Sequence, residues 1–345
     1  MKVAVVILNW NGKKLLETFL PSVVDFSGTA EIYIADNAST DDSLSFIKKN
    51  YPKIQIILNS ENKGFAGGYN AALKQIETDY YVLLNSDVEV TNGWIDSVMN
   101  VLQNDHSIVA AQPKILWHQN KKLFEYSGAA GGYIDEYGYP FCKGRLFDTL
   151  EEDNGQYDNS SEIFWACGAA LFIRAEVYHA VGGLDEMFFA HMEEIDLCWR
   201  LKNLGYKIMY VPSSTVYHVG GATLDAYNPK KTYLNFRNNL YMIVKNDFYS
   251  KNLFFKVLTR MLMDGISGLK YISEGKLKHC LAIIKAHFSF YSNLKFILKK
   301  RANLRELIKA DFKPTCIYQD WIVWAYFFSK KKKYSDLENK LFSEN

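Results

Sequence analysis

The sequence has few of the features that mark membrane-spanning, secreted or nucleic-acid-binding proteins. No stretch reaches the roughly 18 to 20 apolar residues that cross a bilayer. The opening MKVAVVILNWNG has one lysine and a short apolar run without a cleavage site, which is unlike a signal peptide. The formal net charge is +2, whereas a general nucleic-acid binder needs a strong basic surplus. We therefore expect a soluble body that binds no nucleic acid.

Cysteine is scarce, and two phosphate-binding signatures are missing. The five cysteines are an odd number without metal-like pairing, which predicts reduced thiols and a cytoplasmic setting. The segment NKGFAGGYN follows a strand-like run, but its glycines Gly64, Gly67 and Gly68 do not match G-x-G-x-x-G. The P-loop pattern G-x-x-x-x-G-K-[ST] is also absent. A Rossmann dehydrogenase and a P-loop enzyme are both disfavoured.

Short apolar runs and helical stretches alternate through the first hundred residues. Runs with the length and composition of strands lie at 3–9, 31–37, 53–59 and 80–87. The stretches between them that predict helices lie at 13–24, 43–50 and 66–76. Strand, helix and strand at this spacing favour right-handed crossovers and a mainly parallel sheet. We predict an α/β fold, followed by long helices from about residue 230 to 299.

Each of these strand-like runs ends in a polar residue, namely Asn9, Asp36, Asn59 or Asp87. Ligands of open α/β sheets bind beyond the carboxyl ends of the strands, so this row predicts a ligand crevice. Asn and Asp also begin turns and cap helices, and that alternative accounts well for Asn59. An acid directly after a buried strand, such as Asp87, needs a partner because an unpaired buried carboxylate is costly.

Six segments in order carry a resemblance to a known family: VVILNWNG, IADNASTDDS, NKGFAGGYN, LLNSDVEV, GAALFIRAEVYHAVGGLDEMFFAHMEEIDLCWRLKNLGYKI and VYHVGGATL. They resemble the nucleotide-sugar glycosyltransferases of family 2, and especially the rhamnosyl- and galactofuranosyl-transferase branch. The resemblance covers about residues 1–245. It implies a GT-A fold, which is a Rossmann-like, mainly parallel central sheet flanked by helices. Residues 1–228 would form this domain and 229–345 a helical C-terminal extension.

The resemblance divides the domain into a nucleotide-binding half, 1–104, and an acceptor and catalytic half, 105–228. In the first half, Asn85-Ser86-Asp87 replaces a D-x-D-like motif that binds a divalent cation on the donor diphosphate, with an amide in place of the first acid. Asp87 and His218 match the family's metal ligands, which implies Mg²⁺ or Mn²⁺. Without the resemblance, His218 would be an ordinary partly buried histidine. The residues implied on the donor side are Leu8, Asn9, Asp36, Lys63, Gly64, Asn85, Ser86 and Asp87. Lys63 is equally well explained as a solvated loop charge.

The catalytic base is implied by HMEEIDLCWR, where the family usually has Glu-Asp and this chain has Glu193-Glu194. By position, Glu194 accepts the proton of the acceptor hydroxyl in a single inverting displacement. Without the family, the acidic pair would be only favourable charge at a helix start. Glu193 would support it.

Three further residues are implied beside the acceptor. Trp165 either stacks on a sugar face or belongs to the core, and Gly168 lies in the same small-residue segment. Asp196 either pairs with Arg200 or holds an acceptor hydroxyl.

Arg237, at the start of the following helix, would reach the donor phosphates.

The segment CIYQDWIVWAYFFSKKKK, residues 316–333, combines aromatic residues with four lysines. The pattern is typical of a helix lying in a membrane interface, because aromatic rings favour the headgroup level and lysines favour anionic lipid. The alternative is a helix packed on the catalytic domain or on a second subunit in a homo-oligomer.

The resemblance thus implies a metal-dependent, inverting hexosyltransferase that moves one sugar from a UDP- or dTDP-sugar to a hydroxyl of a glycan acceptor. A lipid-linked acceptor in bacterial surface polysaccharide synthesis would place it peripherally at the cytoplasmic face of the membrane, bound through its C-terminal helices. The Q-x-x-R-W motif of processive members is absent, which predicts one transfer per encounter. One alternative is a catalytically degenerate scaffold subunit, favoured by the Asn85 and Glu194 departures. Another is a nucleotidyltransferase. That class needs a basic, glycine-rich phosphate-binding signature near the first strand, and the segment LNWNGKKLLE matches it poorly.

Overall fold

A computed structural model describes residues 1–220, 228–308 and 313–343. Positions 221–224, the end of the segment VYHVGGATL used in the resemblance, lie outside the described residues. The strands are β1 (Val3–Asn9), β2 (Glu31–Asp36), β3 (Gln55–Leu58), β4 (Tyr80–Asn85), β5 (Val88–Val90), β6 (Ile108–Trp117), β7 (Asn120–Phe124), β8 (Gly132–Asp135), β9 (Pro140–Cys142), β10 (Arg145–Leu146), β11 (Thr149–Leu150), β12 (Ser161–Ile163), β13 (Ala170–Arg174), β14 (Lys207–His218) and β15 (Ile317–Tyr318).

The helices are α1 (Lys13–Phe26), α2 (Ser43–Asn50), α3 (Gly64–Leu73), α4 (Trp94–Asn104), α5 (Ala175–Ala180), α6 (Glu193–Asn203), α7 (Pro229–Asn246), α8 (Leu253–Ser273), α9 (Leu277–Leu307) and α10 (Ile322–Phe327). Short 3₁₀ helices lie at Glu186–Phe188, Tyr334–Asp336 and Asn339–Leu341. The four strands predicted in the first hundred residues are all present, as are the three helices between them.

The main sheet has the strand order β12-β14-β6-β13-β4-β1-β2-β3, with β5 added to β14 and β7 to β6. Its first half, β4-β1-β2-β3, is wholly parallel. Residues Tyr80–Leu84 of β4 are all buried, since helices cover both faces of a parallel sheet and favour unbroken apolar runs. The second half is mixed, because β13 runs antiparallel to both β4 and β6. The α/β prediction is confirmed, and the parallel arrangement is concentrated in the first half.

A second, smaller sheet has the order β11-β10-β9-β8-β15. Its last strand comes from the C-terminal segment and pairs in parallel with β8. The segment 316–333 therefore does not form one interfacial helix. It forms β15 and the six-residue α10, in which Ile322, Val323, Ala325 and Tyr326 are buried. The structure shows the alternative, packing on the catalytic domain, and β15 crosses the domain boundary predicted at residue 228.

Three long helices follow the main sheet, as predicted. Helix α9 packs against α7 and α8, and α7 also contacts α6 of the catalytic half. Within the described ranges, every helix is too short or too polar to cross a bilayer.

Candidate active site

The carboxyl ends of β1, β2 and β4 meet at one edge of the main sheet. Asn9 stands opposite Asp36 in the β1–β2 register, and Leu8 stands opposite Asn85 in the β1–β4 register. Parallel strands place their carboxyl ends on the same side, so the polar residues predicted from the sequence do form a common row.

Asn9 and Asp36 form a buried polar cluster at this edge. The Asn9 Nδ2 atom donates to Asp36 Oδ1 at 2.9 Å and to Ser43 Oγ at 3.0 Å. The second oxygen of Asp36 accepts the backbone N–H of Ser39 at 2.9 Å. Asn9 Oδ1 is buried and has no hydrogen-bond partner among the described residues. An orphan acceptor next to a carboxylate is suited to an N–H or O–H group of a ligand.

Gly64 brings the loop before α3 into contact with the loop that precedes α6. Its φ angle is +71°, and a Cβ atom there would stand 2.5 Å from the Phe189 carbonyl oxygen. The same oxygen accepts the Phe65 N–H at 2.7 Å. Only glycine satisfies both the left-handed backbone and this close approach. Lys63, directly before it, is exposed.

Directly after β4, Asp87 meets a histidine from the end of β14. Asp87 Oδ1 lies 3.2 Å from His218 Nε2, and both side chains are buried. Asn85 Nδ2 lies 3.4 Å from the same nitrogen. On the far side of the imidazole, Glu125 Oε1 is 3.4 Å from His218 Nδ1. A histidine is thus held between two carboxylates beside the Asn85-Ser86-Asp87 turn.

The electrostatics of this group follow from its charges. Burial alone would lower the pKa of His218, but the carboxylates of Glu125 and Asp87 raise it to about 10. Burial would raise the pKa of Asp87, and the nearby imidazolium outweighs it, so the Asp87 pKa is lowered. Asp87 and His218 therefore form a buried ion pair.

The donor set fits a divalent cation. A carboxylate oxygen and an imidazole nitrogen face one another, and such mixed O and N ligands suit Mn²⁺ and related ions. A carboxylate behind the other ring nitrogen is the arrangement that orients histidine ligands in metal sites. Within the described part of the chain, no group of three or more His, Cys, Asp and Glu side chains is arranged to hold a metal. The protein would supply two ligands, and the cation would take its others from the donor diphosphate or water.

The acidic pair Glu193-Glu194 begins α6 after a stretch of unusual backbone. Phe189, His191 and Met192 have φ angles of +64°, +69° and +72°, which are costly for residues with a Cβ atom. One carboxylate oxygen of each glutamate is buried without a hydrogen-bond partner among the described residues. Burial raises the pKa of Glu194 to about 7. Burial and the charge of Glu194 raise the pKa of Glu193 well above its usual range.

Two contacts connect the turn at Asn85 with the acidic pair. The backbone N–H of Asn85 donates to the Ala169 carbonyl at 3.0 Å. The neighbouring Gly168 lies beside Glu194, since a Cβ added to it would be 3.8 Å from Glu194 Cβ and 3.2 Å from the Phe65 ring. Gly168 therefore lies between the acidic turn on one side and the acidic pair on the other.

Helix α7 holds the strained loop in place. Asn238 Nδ2 donates to the carbonyls of Phe188, Ala190 and His191 at 2.7 to 2.9 Å. Arg237 donates to the carbonyls of Met187 and Phe188, both at 3.0 Å. The prediction that Arg237 reaches the donor phosphates does not describe this structure, because its guanidinium is engaged by the loop.

Two acceptor-side predictions need correction. Trp165 is buried, and its ring N–H donates to the Tyr133 carbonyl at 2.9 Å, so the indole belongs to the core. Asp196 is completely buried and accepts hydrogen bonds from Arg200, Lys245 and Asn246 at 2.8 to 3.0 Å. It adopts the pairing alternative, which leaves no oxygen for an acceptor hydroxyl.

Glu125 and Asn238 are site residues that sequence reasoning missed. Glu125 directly follows β7, and its neighbours Phe124 and Tyr126 give no local sign of a ligand. Asn238 lies within an apolar helical stretch, where a polar residue among buried neighbours is the one available signal.

The chain is similar to known glycosyltransferases in sequence and in fold. The sequence profile of Glycosyl transferase family 2 matches residues 4–147. Over 222 residues the chain is 26% identical to the N-acetylglucosaminyl-diphospho-decaprenol L-rhamnosyltransferase of Mycobacterium tuberculosis, which covers 59% of this chain and 71% of that protein. The chain is a glycosyltransferase that resembles those of family 2. Among its relatives it resembles the rhamnosyltransferase branch, as the sequence predicted.

Solved structures confirm the GT-A fold of this glycosyltransferase. GalNAc-T7 with UDP, GalNAc and Mn²⁺ superposes with a TM-score of 0.52 at 18% identity, covering 63% of this chain and 43% of that one. The mannosyltransferase PcManGT from Pyrobaculum calidifontis, with GDP-Man and Mn²⁺, gives 0.50 at 13% identity and covers 89% and 85%. This chain spans less than half the length of GalNAc-T7. At such identities the likeness concerns the fold alone.

Proposed function

We propose that this glycosyltransferase moves one sugar from a UDP- or dTDP-sugar to a hydroxyl of a glycan acceptor, with inversion and with the aid of Mg²⁺ or Mn²⁺. The observation that carries the proposal is the 3.2 Å contact between Asp87 and His218. Two residues from distant parts of the sequence converge at the carboxyl edge of the sheet, beside Asn85, where a ligand crevice is expected.

The donor nucleotide would lie along the ends of β1 and β2. Asp36 and the orphan oxygen of Asn9 would accept hydrogen bonds from the base or ribose, with Leu8 against the base. The exposed ammonium of Lys63 and the backbone at Gly64 would then face the diphosphate. Asn85 and Ser86 complete the donor side at the end of β4.

Asp87 and His218 would hold the divalent cation. When bound, the cation neutralises the negative charge that develops on the departing nucleoside diphosphate. Glu125 keeps the imidazole oriented through its Nδ1 atom, so that Nε2 faces Asp87. The amide of Asn85 brings no charge to the proposed cation site. The carboxylate of Glu125 supplies negative charge behind the imidazole of His218.

Glu194 would act as the catalytic base. As the acceptor oxygen forms its bond to the anomeric carbon, the carboxylate takes the hydroxyl proton and the bond from that carbon to the diphosphate oxygen breaks. A base with a pKa of about 7 is well matched to this task at neutral pH. Gly168 lies close to Glu194 and the Phe65 ring, on the side from which the acceptor would approach, and Glu193 would support the carboxylate from the buried side.

The acceptor would be a lipid-linked glycan, and the enzyme would work without processivity at the cytoplasmic face of a bacterial membrane, in surface polysaccharide synthesis. The support is the similarity to the mycobacterial rhamnosyltransferase, which is named for the acceptor N-acetylglucosaminyl-diphospho-decaprenol. We propose 1–228 as the catalytic domain, with halves 1–104 and 105–228, and 229–345 as a mainly helical extension that contacts the membrane surface.

Donor binding and donor hydrolysis test the proposal separately. UDP- and dTDP-sugars are screened by thermal shift with and without Mn²⁺, since a bound ligand raises the melting temperature by mass action. Asp87→Ala should abolish the Mn²⁺-dependent shift. Glu194→Gln should keep the shift and lose hydrolysis and transfer by about 10²- to 10⁴-fold.

The outcomes distinguish the alternatives. A parent protein that binds donor with Mn²⁺ but neither hydrolyses nor transfers it would indicate a scaffold subunit. If both variants match the parent in binding and in turnover, the roles assigned to Asp87 and Glu194 are wrong.

A further inference from the structure

Helix α8 carries an unbroken exposed apolar stripe. At 100° per residue, its exposed large side chains fall within about 120° of the helix circumference. They are Phe254, Phe255, Leu258, Leu262, Ile266, Leu269 and Ile272. The opposite face is buried and carries Arg260 and Asp264, which pair with one another at 3.3 Å. The apolar residues thus face solvent, although the helix has a buried face of its own.

Helix α9 repeats the pattern. The side chains of Leu277, Leu281, Ile284, Phe288 and Tyr291 are exposed and recur every three or four residues, and the exposed Leu298 lies two turns further on. The Tyr291 hydroxyl lies 3.4 Å from Met261 Sδ, so this stripe borders α8. We call the two stripes together the α8–α9 face. Residues 254–307 hold fifteen of the twenty-four exposed large hydrophobic side chains among the described residues.

The charge of the chain is also concentrated here. Residues 251–308 contain twelve Lys and Arg and three Asp and Glu, a formal charge of +9 in a chain whose total is +2. The remainder therefore carries −7. Exposed lysines lie at the edges of the α9 stripe and in its last turns, at positions Lys278, Lys285, Lys295 and Lys299. An apolar surface flanked by lysines is complementary to a layer that is apolar inside and anionic at its surface.

We propose that the α8–α9 face docks on the surface of an anionic lipid bilayer, with the apolar stripes among the acyl chains and the lysines at the headgroup phosphates. A second copy of the chain fits less well, because a symmetric contact would bring two segments of +9 together. The assignment deepens the proposed lipid-linked acceptor, and it locates membrane contact on α8 and α9 instead of the lysine-rich segment 330–333.

Vesicle flotation of the full chain tests the face. Vesicles of phosphatidylcholine alone are compared with vesicles that contain about 30% phosphatidylglycerol. We expect binding only to the anionic vesicles, weakened by salt. Lys278→Gln, Lys285→Gln and Lys299→Gln together should lower partitioning by about 100-fold. Leu262→Glu with Phe288→Glu should lower it by at least tenfold, since the substitutions place charge in the acyl region.

Two controls keep the result specific. Val24→Glu introduces the same charge at an exposed apolar residue of α1, and replacing the four lysines 330–333 by glutamine removes charge from the C-terminal segment. Both controls should keep most of the binding. Donor hydrolysis should be unchanged in every variant, so a failed proposed function would appear in hydrolysis and a failed docking face in flotation.

Three results would overturn the docking proposal. The first is equal binding to neutral and anionic vesicles. The second is loss of binding in the 330–333 variant but not in the α8–α9 variants. The third is a parent protein that is dimeric in solution, becomes monomeric with Leu262→Glu and Phe288→Glu, and does not float with vesicles.

Discussion

Glu194 combines burial, an unpartnered oxygen and a glycine neighbour, and each has a chemical effect. Burial makes the ionised carboxylate less stable, which raises its pKa to about 7 and strengthens it as a base. The unpartnered oxygen has a lone pair for a proton, and Gly168 lets the chain pass close to Glu194 and the Phe65 ring. At physiological pH a substantial part of the population is therefore ready to accept a proton.

We expect the transfer rate to rise with pH through about 7 and to level off above it, because only ionised Glu194 accepts the hydroxyl proton. The dependence of kcat/KM on pH measures this. Glu194→Gln should lose both the rise and about 10²- to 10⁴-fold in rate. The matched variant Glu193→Gln should retain most of the rate, and equal losses in the two variants would contradict the assignment.

We expect Glu125 to raise the affinity for the cation although it does not contact the cation. Glu125→Gln keeps the size of the side chain and removes the charge behind His218, so Mn²⁺ affinity should fall by about 10- to 100-fold. Titration followed by the electron paramagnetic resonance of free Mn²⁺ measures it directly. Glu89→Gln is the control, because Glu89 lies two residues from Asp87 but pairs with Lys121 instead. Similar affinities in all three proteins would rule out an orienting role for Glu125.

At the scale of elements, the loop between the 3₁₀ helix Glu186–Phe188 and α6 joins three parts of the site. The loop contacts Gly64 and leads directly into α6, the helix that carries Glu194. Its carbonyl groups accept hydrogen bonds from the side chain of Asn238 in α7. Its left-handed residues are strained, so the loop keeps this shape only because its neighbours hold it.

Adjacent asparagines in α7 allow this to be tested. Asn238→Ala removes the donor of three loop carbonyls, and we expect a loss of about 2 kcal/mol or more in unfolding free energy together with at least a tenfold loss in kcat. Asn239→Ala removes a single bond to the Gly138 carbonyl outside the loop. It should cost about 1 kcal/mol and leave kcat nearly unchanged. Urea denaturation and steady-state kinetics give both quantities, and an unchanged kcat in Asn238→Ala would show that the loop needs no such support.

At the scale of the whole molecule, the C-terminal segment is part of the folded body. Tyr318 is completely buried in the small sheet, and the Ile322 N–H donates to Asp135 at 3.0 Å across 187 residues of sequence. The Tyr326 ring lies 4.7 Å from Phe147. These contacts attach residues 317–326 to the strands that follow β7.

Removal of residues 313–345 should therefore destabilise the catalytic body. Five large buried apolar side chains and Ala325 would be lost, and the large ones are each worth about 1.5 to 3 kcal/mol, which is together comparable with the total stability of a typical domain. We expect a melting temperature lower by more than about 10 °C or an insoluble product, measured by thermal shift. A truncated protein that melts like the full chain would show that the segment adds nothing to the body. Replacement of lysines 330–333 by glutamine should leave melting unchanged.

The parts of this structure that were predictable from sequence carry local signals. Strands β1 and β4 are buried on both faces, which requires continuous apolar runs, and glycine at position 64 marks a close backbone approach. The pairing of Asp87 with His218 came from the family resemblance, because the sequence around neither residue indicates that the other is its partner. Glu125, Asn238 and the strand β15 depend on contacts between distant segments, and the aromatic pattern of 316–333 is compatible with either a membrane surface or a protein core.

The pairing of β15 with β8 also has a consequence for biosynthesis. The edge of β8 is made early, but its partner leaves the ribosome only after α7, α8 and α9 have been synthesised. Until then the edge of β8 that faces away from β9 is unpaired and can pair with another nascent chain. We expect chaperone dependence to be greatest in that interval, between the synthesis of residue 135 and that of residue 318.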